Sequence, residues 1–224
     1  MAMIDNDKLT RWYDLQARFY SAWRDNPSGA HVAALLGLLD TEKSLAILDV
    51  GCGTGLFSIA LAEGSPRWQV TGLDASKGML AVARANADKR KVERLKLERG
   101  NAYTLPFDDD SFDVVNASGL LPNLDNHARA MAEFRRVLRP GGLLTLVEVD
   151  RKALEFKDRL FFRTMILGYR IASTILPRYK FARGWSLQKT TIDPDATAKR
   201  LESAGFTLGG CLRGDKHWIL HSTL

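Results

Sequence analysis

The chain has 224 residues, of which 46% are apolar and 26% charged, with a net charge of +6; this is a globular composition that can bury a core without disulfides and excludes a disordered chain. Its two cysteines, Cys52 and Cys211, build neither a disulfide framework nor a zinc site, so they read as small buried residues in a reducing compartment and no metal is expected. No uncharged apolar run reaches 18 residues, which excludes a spanning helix, and Asp5, Asp7 and Lys8 stand where a leader would be basic and then apolar, which predicts a cytoplasmic protein.

Residues 5–25 predict an amphipathic helix carrying Trp12, Tyr13, Phe19, Tyr20 and Trp23, with Tyr13 and Tyr20 seven apart on one face. Asp25 to Gly29 breaks it, and residues 30–39 read as an apolar helix. Leu45 to Val50 is a short apolar run rich in strand formers, followed by glycine at 51, 53 and 55 and then a helical pattern over 56–63. This reads as a buried strand turning tightly into a helix, with a turn whose backbone a flat or charged ligand can approach. A dinucleotide fingerprint requires Gly-x-Gly-x-x-Gly. Here the third glycine comes one residue early, and Asp49 at the strand end repels a pyrophosphate and suits a ligand with positive charge.

Trp68 to Leu73 is the second strand, and Asp74 follows it 19 residues after Gly55, where a ribose-hydroxyl acceptor belongs in a mononucleotide-binding half. Ser76 caps a helix bearing Met79, Leu80, Val82 and Ala83. Leu95 to Leu97 is the third strand, ending at Gly100-Asn101-Ala102. After an acidic turn at Asp108, Asp109 and Asp110, residues 112–116 form the fourth. Asn116-Ala117-Ser118-Gly119 follows at the carboxyl edge of the sheet, with Leu120, Leu121 and Pro122 making an apolar rim.

Residues 125–138 are an amphipathic helix ended by Arg139-Pro140-Gly141-Gly142, and 143–149 is the fifth strand, with Glu148 near its end. Residues 153–176 have a wide apolar face, and 151–183 hold nine Lys or Arg against Glu155 and Asp158. That surplus reads either as a solvated face or as attraction to nucleic acid, an anionic bilayer or a phosphorylated substrate. Residues 193–204 form a helix, Gly205-Phe206 opens a sixth strand and 217–222 a seventh, on which His217 and His221 read as packing or surface residues.

The runs Leu48-Asp49-Val50-Gly51-Cys52-Gly53-Thr54-Gly55 and Leu73-Asp74-Ala75-Ser76 together resemble the class I S-adenosylmethionine-dependent methyltransferases. The resemblance continues through Gly100-Asn101-Ala102, Leu105-Pro106-Phe107, Ser111-Phe112-Asp113-Val114-Val115 and Glu133 to Gly142, and is strong over 45–150. It implies an α/β Rossmann-like sheet of seven mostly parallel strands in the order 3-2-1-4-5-7-6, with strand 7 antiparallel and helices on both faces. It further implies a single domain over 1–224: an N-terminal helical lid (1–40), a cofactor-binding core (45–150), a substrate-covering helical insertion (151–190) and a C-terminal helix and hairpin (191–224).

The cofactor so implied is S-adenosyl-L-methionine. The resemblance puts the backbone of Gly51, Cys52, Gly53 and Gly55 and the side chain of Asp49 near its methionine part, and Asp74 and Ala75 at the ribose. Met79, Asn101 and Ala102 fall at adenine, Asn116 and Ala117 at the fourth-strand edge, and Tyr13 and Tyr20 on the lid. Asn101 stands where the family usually has Asp; its side-chain carbonyl still accepts from an amino group. Val147-Glu148-Val149-Asp150, Gly168-Tyr169 and Ile175-Leu176-Pro177 look loosely like the quinone-biosynthesis C-methyltransferases.

The expected reaction is methyl transfer to oxygen or carbon of a small, apolar acceptor such as a quinone or phenol, with His127, Glu148 and Tyr20 as candidate bases. Two readings stand beside it, a phospholipid-headgroup N-methyltransferase at the membrane surface and a cofactor-binding subunit without turnover. The basic surplus allows peripheral contact with an anionic membrane. The lack of Asn-Pro-Pro-Tyr after the fourth strand and of an RNA-binding module argues against nucleic acid.

Overall fold

The computed structural model describes residues 9–15, 17, 29–150, 153, 164, 167, 192–214 and 217–224. Tyr20, most of the 151–190 insertion and all nine basic residues of 151–183 lie outside the described residues.

Helical residues 9–15 (α1) and Gly29–Leu36 (α2) precede the sheet. The chain then alternates through β1 (Ala46–Val50), α3 (Leu56–Gly64), β2 (Gln69–Asp74), α4 (Lys77–Lys89), β3 (Lys96–Arg99) and β4 (Phe112–Ser118). It continues through a 3-10 turn at Leu121–Asn123, α5 (His127–Val137), β5 (Leu138–Val149), α6 (Pro194–Ser203), β6 (Thr207–Arg213) and β7 (His217–Thr223). The strands lie in the order β3-β2-β1-β4-β5-β7-β6; β1 to β5 pair in parallel and β7 runs antiparallel to β5 and β6. This is the fold expected from the sequence.

Burial on both faces explains why β1, β4 and β5 read as nearly continuous apolar runs. Leu48, Val50, Val115, Ala117, Leu144 and Leu146 pack on one side with Met131 and Phe134 of α5 and Leu201 of α6. Ile47, Val70 and Val114 pack on the other with Leu35 of α2, Leu61 of α3 and Trp68. The order reverses between β1 and β4, so the crevice above their carboxyl ends is where an open α/β sheet keeps its ligand.

Three local expectations change. Strand β5 begins at Leu138 rather than 143, because Leu138 pairs with Phe112 before a register shift to Val114↔Leu143; the Arg-Pro-Gly-Gly run is looped out inside the strand, with Gly141 at φ 76°. Strand β4 extends to Ser118, two residues beyond the expected end. Cys211 is exposed because it lies on the edge strand β6. His217 and His221 are packing residues as expected: the His217 ring lies 3.7 Å from that of His31, and His221 fills the space that side chains at Gly209 and Gly210 would take.

Candidate functional site

Three segments meet at the carboxyl edge of the sheet: the glycine turn after β1, the β2–α4 corner and the loop after β4. The glycine turn is tied to β2, since the amides of Gly51 and Cys52 both donate to the Leu73 carbonyl, at 2.7 and 3.0 Å. Gly53 sits at φ 55°, and a Cβ there would meet nothing within 4 Å. Its backbone therefore faces open space in a conformation that favours glycine. Gly51 is needed for the opposite reason: a Cβ would lie 2.8 Å from Cδ1 of Leu120, so the loop after β4 presses directly on the turn.

Asp74 ends β2 half-buried. One carboxylate oxygen accepts the Gly53 amide at 2.9 Å and the other the Ser76 amide at 2.8 Å, so the side chain joins the glycine turn to the start of α4. Each oxygen keeps a lone-pair direction for a hydroxyl donor. Burial pushes its pKa up, opposed by these amide hydrogen bonds. Ala75 beside it is exposed. Ser76 caps α4, accepting the Met79 amide at 3.0 Å, and Met79 itself is buried.

Asp49 lies beneath the turn. Strand alternation puts it on the same face as Ile47, toward α3, and its neighbour across the sheet is Asn116, whose own neighbour is Thr145. Ser58 donates to one carboxylate oxygen at 2.5 Å and the Asn116 amide to the other at 2.7 Å. Thr145 in turn donates to the Asn116 carbonyl at 2.9 Å. Desolvation raises the Asp49 pKa to about 6, against the hydrogen bonds from Ser58 and Asn116 and with repulsion from Asp74 adding to the rise. Burial also pushes the Cys52 thiol well above its usual value, which keeps it neutral and a poor nucleophile.

Asp49, Asn116 and Ala117, expected near the cofactor, are buried: Asp49 is 1% exposed and the other two 0%. They form the layer under the crevice. After β3, Asn101 is exposed and its side-chain carbonyl accepts the Tyr103 amide at 2.9 Å, while Ala102 is buried beside it.

After β4, Gly119 and Leu120 lead into the 3-10 turn. The buried Glu148 carboxylate accepts the Leu121 amide at 2.9 Å, and Nε2 of the half-buried His127 lies 2.8 Å from the Leu121 carbonyl. A carbonyl only accepts, so that nitrogen carries the proton. Two of the three candidate bases, Glu148 and His127, thus hold the backbone of one residue, Leu121, from β5 and from α5, and the third, Tyr20, lies outside the described residues. Tyr103 fixes the next stretch, its hydroxyl donating to Asp125 and accepting the amides of Asp125 and Asn126.

From the N-terminal side Tyr13 donates to the Asn123 side-chain carbonyl at 3.0 Å. Asp14 accepts the Ser76 hydroxyl at 2.5 Å and the Gly78 amide at 2.8 Å. Sequence reasoning missed Ser58, Thr145 and the partners of Asp14. A lone Thr in the run Leu143 to Val149 was the available signal for Thr145.

The arrangement fits a nucleoside carrying a positive sulfur. Its floor is open at Gly53, Asp74 has acceptor positions for a vicinal diol, and two carboxylates of the sign that repels phosphate flank the turn. Among the described residues there is no group of three metal-ligating side chains and no helix long and apolar enough to cross a membrane.

Residues 48–146 match the family described as "Methyltransferase domain". Demethylmenaquinone methyltransferase of Staphylococcus epidermidis is 33% identical over 162 residues, which are 72% of this chain and 66% of that protein. Its namesake from Staphylococcus aureus strain JH9 is 32% identical over 171 residues, 75% of this chain and 70% of that one. The chain thus spans about two thirds of the length of these relatives. Among solved structures, a SAM-dependent methyltransferase from Aquifex aeolicus superposes with a TM-score of 0.65 at 15% identity, covering 93% of this chain and 97% of its own. On the matched motifs, their order and the fold that carries them, the chain belongs to the class I S-adenosylmethionine-dependent methyltransferases.

Proposed function

We propose that this protein transfers the methyl group of S-adenosylmethionine to a ring carbon or oxygen of an apolar, quinone- or phenol-like acceptor. The observation that carries the reading is the pairing of an open glycine floor with Asp74, whose two oxygens join that floor to the corner where a ribose would lie. The names of the staphylococcal relatives, which act on demethylmenaquinone by those names, support the acceptor class. So do the half-buried Leu120 and Pro122 beside the turn, with Leu121 buried in the core between them.

Bound there, the cofactor supplies an electrophilic methyl on a cationic sulfur, and the chain supplies alignment, exclusion of water and the field. Asp74 and Ala75 take the ribose side; Met79, Asn101 and Ala102 border adenine; and the backbone of Gly51, Cys52, Gly53 and Gly55, its amides tied to Leu73, Asp74 and Cys52, forms the floor. Asp49, held by Ser58 and Asn116, acts from below through its charge. Tyr13, with Tyr20 beyond the described residues, belongs to the closing N-terminal segment.

Alignment of this kind is worth roughly 7–11 kcal/mol in well-oriented reactions, and the leaving group needs no acid. Because His127 and Glu148 hold Leu121, we assign them to shaping the acceptor wall rather than to taking a proton. Contact with an anionic membrane, where a prenylated acceptor would reside, rests on the basic residues of 151–183. It predicts salt-sensitive sedimentation with anionic vesicles.

The test is incubation of the protein with methyl-labelled S-adenosylmethionine and a reduced, prenylated naphthoquinone lacking its ring methyl, followed by mass spectrometry. Gain of one methyl on the ring or its oxygen supports the reading. Label that appears only on phospholipid headgroups in a parallel extract would replace it with the N-methyltransferase reading. Asp74→Ala should weaken cofactor binding about 10- to 100-fold by calorimetry, as expected for losing charge-assisted hydrogen bonds.

A further inference from the structure

Gly78 is the second residue of α4, at an ordinary helical φ, where Ala would serve the helix better. Its surroundings explain it. A Cβ at this position would lie 2.8 Å from Cα and 2.8 Å from the backbone oxygen of Asp14, so the glycine is a notch into which the backbone of α1 fits. The carboxylate of Asp14 then completes the capping of α4. Ser76 satisfies the Met79 amide, and Asp14 takes the Gly78 amide together with the Ser76 hydroxyl, leaving fewer orphan donors at that end and setting a negative charge on the helix's positive terminus.

The adjacent residue faces the other wall. Tyr13 donates to Asn123, whose side-chain amide donates to the Gly119 carbonyl at 3.0 Å, next to the Leu120 that presses on Gly51. Consecutive side chains of one helical segment therefore grip the corner that bears Asp74 and the loop that bears the acceptor wall. Trp12 and Ala17, both buried, anchor the same segment.

We propose that Asp14, Tyr13 and Gly78 are positioning residues that clasp α1 across the crevice and thereby set how long the cofactor stays bound. This deepens the functional reading above and rests on it for the identity of the ligand. Asp14 reaches the crevice through Ser76, since the same serine donates its amide to Asp74 and its hydroxyl to Asp14. A ligand held by Asp74 then leaves readily only when the clasp opens.

The experiment uses the full chain and its Gly78→Ala, Asp14→Ala and Asp14→Asn variants, with S-adenosylhomocysteine as the probe. Release rates are read by stopped flow, and amide exchange at residues 76–80 is read without ligand. Gly78→Ala should speed release about tenfold, the loss of roughly one charge-assisted hydrogen bond, and lower the melting temperature, because the backbone of Asp14 must shift away from the new Cβ. Asp14→Ala should do likewise and lose protection at the Gly78 amide. Asp14→Asn, whose carbonyl still accepts from both partners, should stay near the parent. Gly78→Ala combined with Asp14→Ala should be no faster than either alone, because both open one contact.

Unchanged release in Gly78→Ala, or additive effects in the double variant, would overturn the clasp. If the parent protein binds no S-adenosylhomocysteine, the cofactor reading fails instead, and exchange at Gly78 decides the clasp alone: equal protection in the parent and in Asp14→Ala refutes it.

Discussion

Asp49, Asn116 and Thr145 occupy one row across β1, β4 and β5, and the row settles what each can do. Thr145 donates to the Asn116 carbonyl, which turns the amide nitrogen toward Asp49. With the Ser58 hydroxyl, this gives the buried carboxylate two donors and holds its pKa at about 6 against desolvation. The titratable groups facing Asp49 are Asp74 and Cys52, neither of which offers a positive charge.

A carboxyl that titrates at about 6 when folded and near 3.8 when unfolded binds its proton more tightly in the folded state. Stability from this site is therefore full below the unfolded value and falls as pH rises between about 4 and 6. The shift corresponds to about 3 kcal/mol of strain from a buried anion at neutral pH. Asp49→Asn keeps both hydrogen bonds, accepting from Asn116 and donating to Ser58. It should raise the melting temperature at pH 7.5 and make no difference at pH 4, while weakening binding of cationic S-adenosylmethionine more than of neutral S-adenosylhomocysteine. Equal melting of the two proteins at pH 7.5 would refute the buried-anion account. Thr145→Val should move the pH midpoint for cofactor binding upward by freeing the Asn116 amide to turn, and Thr145→Ser should restore it.

At the scale of elements, the 3-10 turn at Leu121–Asn123 is shaped from three directions: Glu148 of β5 and His127 of α5 hold Leu121, and Tyr13 of α1 holds Asn123. Glu148→Gln preserves an acceptor for the Leu121 amide and should retain both stability and the pH profile of turnover. Glu148→Ala leaves a buried amide unsatisfied and should cost about 1–3 kcal/mol in denaturant unfolding. If Glu148→Gln abolishes turnover while the fold melts normally, the carboxylate is a base after all.

His127 and Glu148 were visible in sequence as polar residues near a substrate edge. Their shared partner was not, because Leu121 meets them through backbone groups 27 and 6 residues away. The same limit hid the supports of Asp49. Apolar runs ending in acids marked β1 and β2, but strand register, a non-local property, is what put Ser58, Asn116 and Thr145 around Asp49. Strand β4 runs two residues beyond its expected end, so Asn116 and Ala117 lie within the strand rather than in the loop after it.

For the whole molecule, the strand order was legible because each parallel strand is an apolar run punctuated by Gly, Asp or Asn, and right-handed crossovers leave few ways to connect such units. That order reverses between β1 and β4, which places the glycine turn, Asp74 and the apolar rim at one crevice. The fold accommodates many reactions, so the assignment rests on the charge and shape of that crevice. Its carboxylates suit a cation, its open floor at Gly53 suits a flat or extended ligand, and nothing in the turn has the glycine spacing that cradles a pyrophosphate.

Titration calorimetry of the full chain at pH 7.5 with S-adenosylmethionine and, in parallel, with NADH decides whether the crevice selects the cationic nucleoside. Saturable one-site binding of S-adenosylmethionine that Asp74→Ala weakens, with no heat from NADH, is the predicted result. Binding of NADH, or no binding of S-adenosylmethionine, would contradict it.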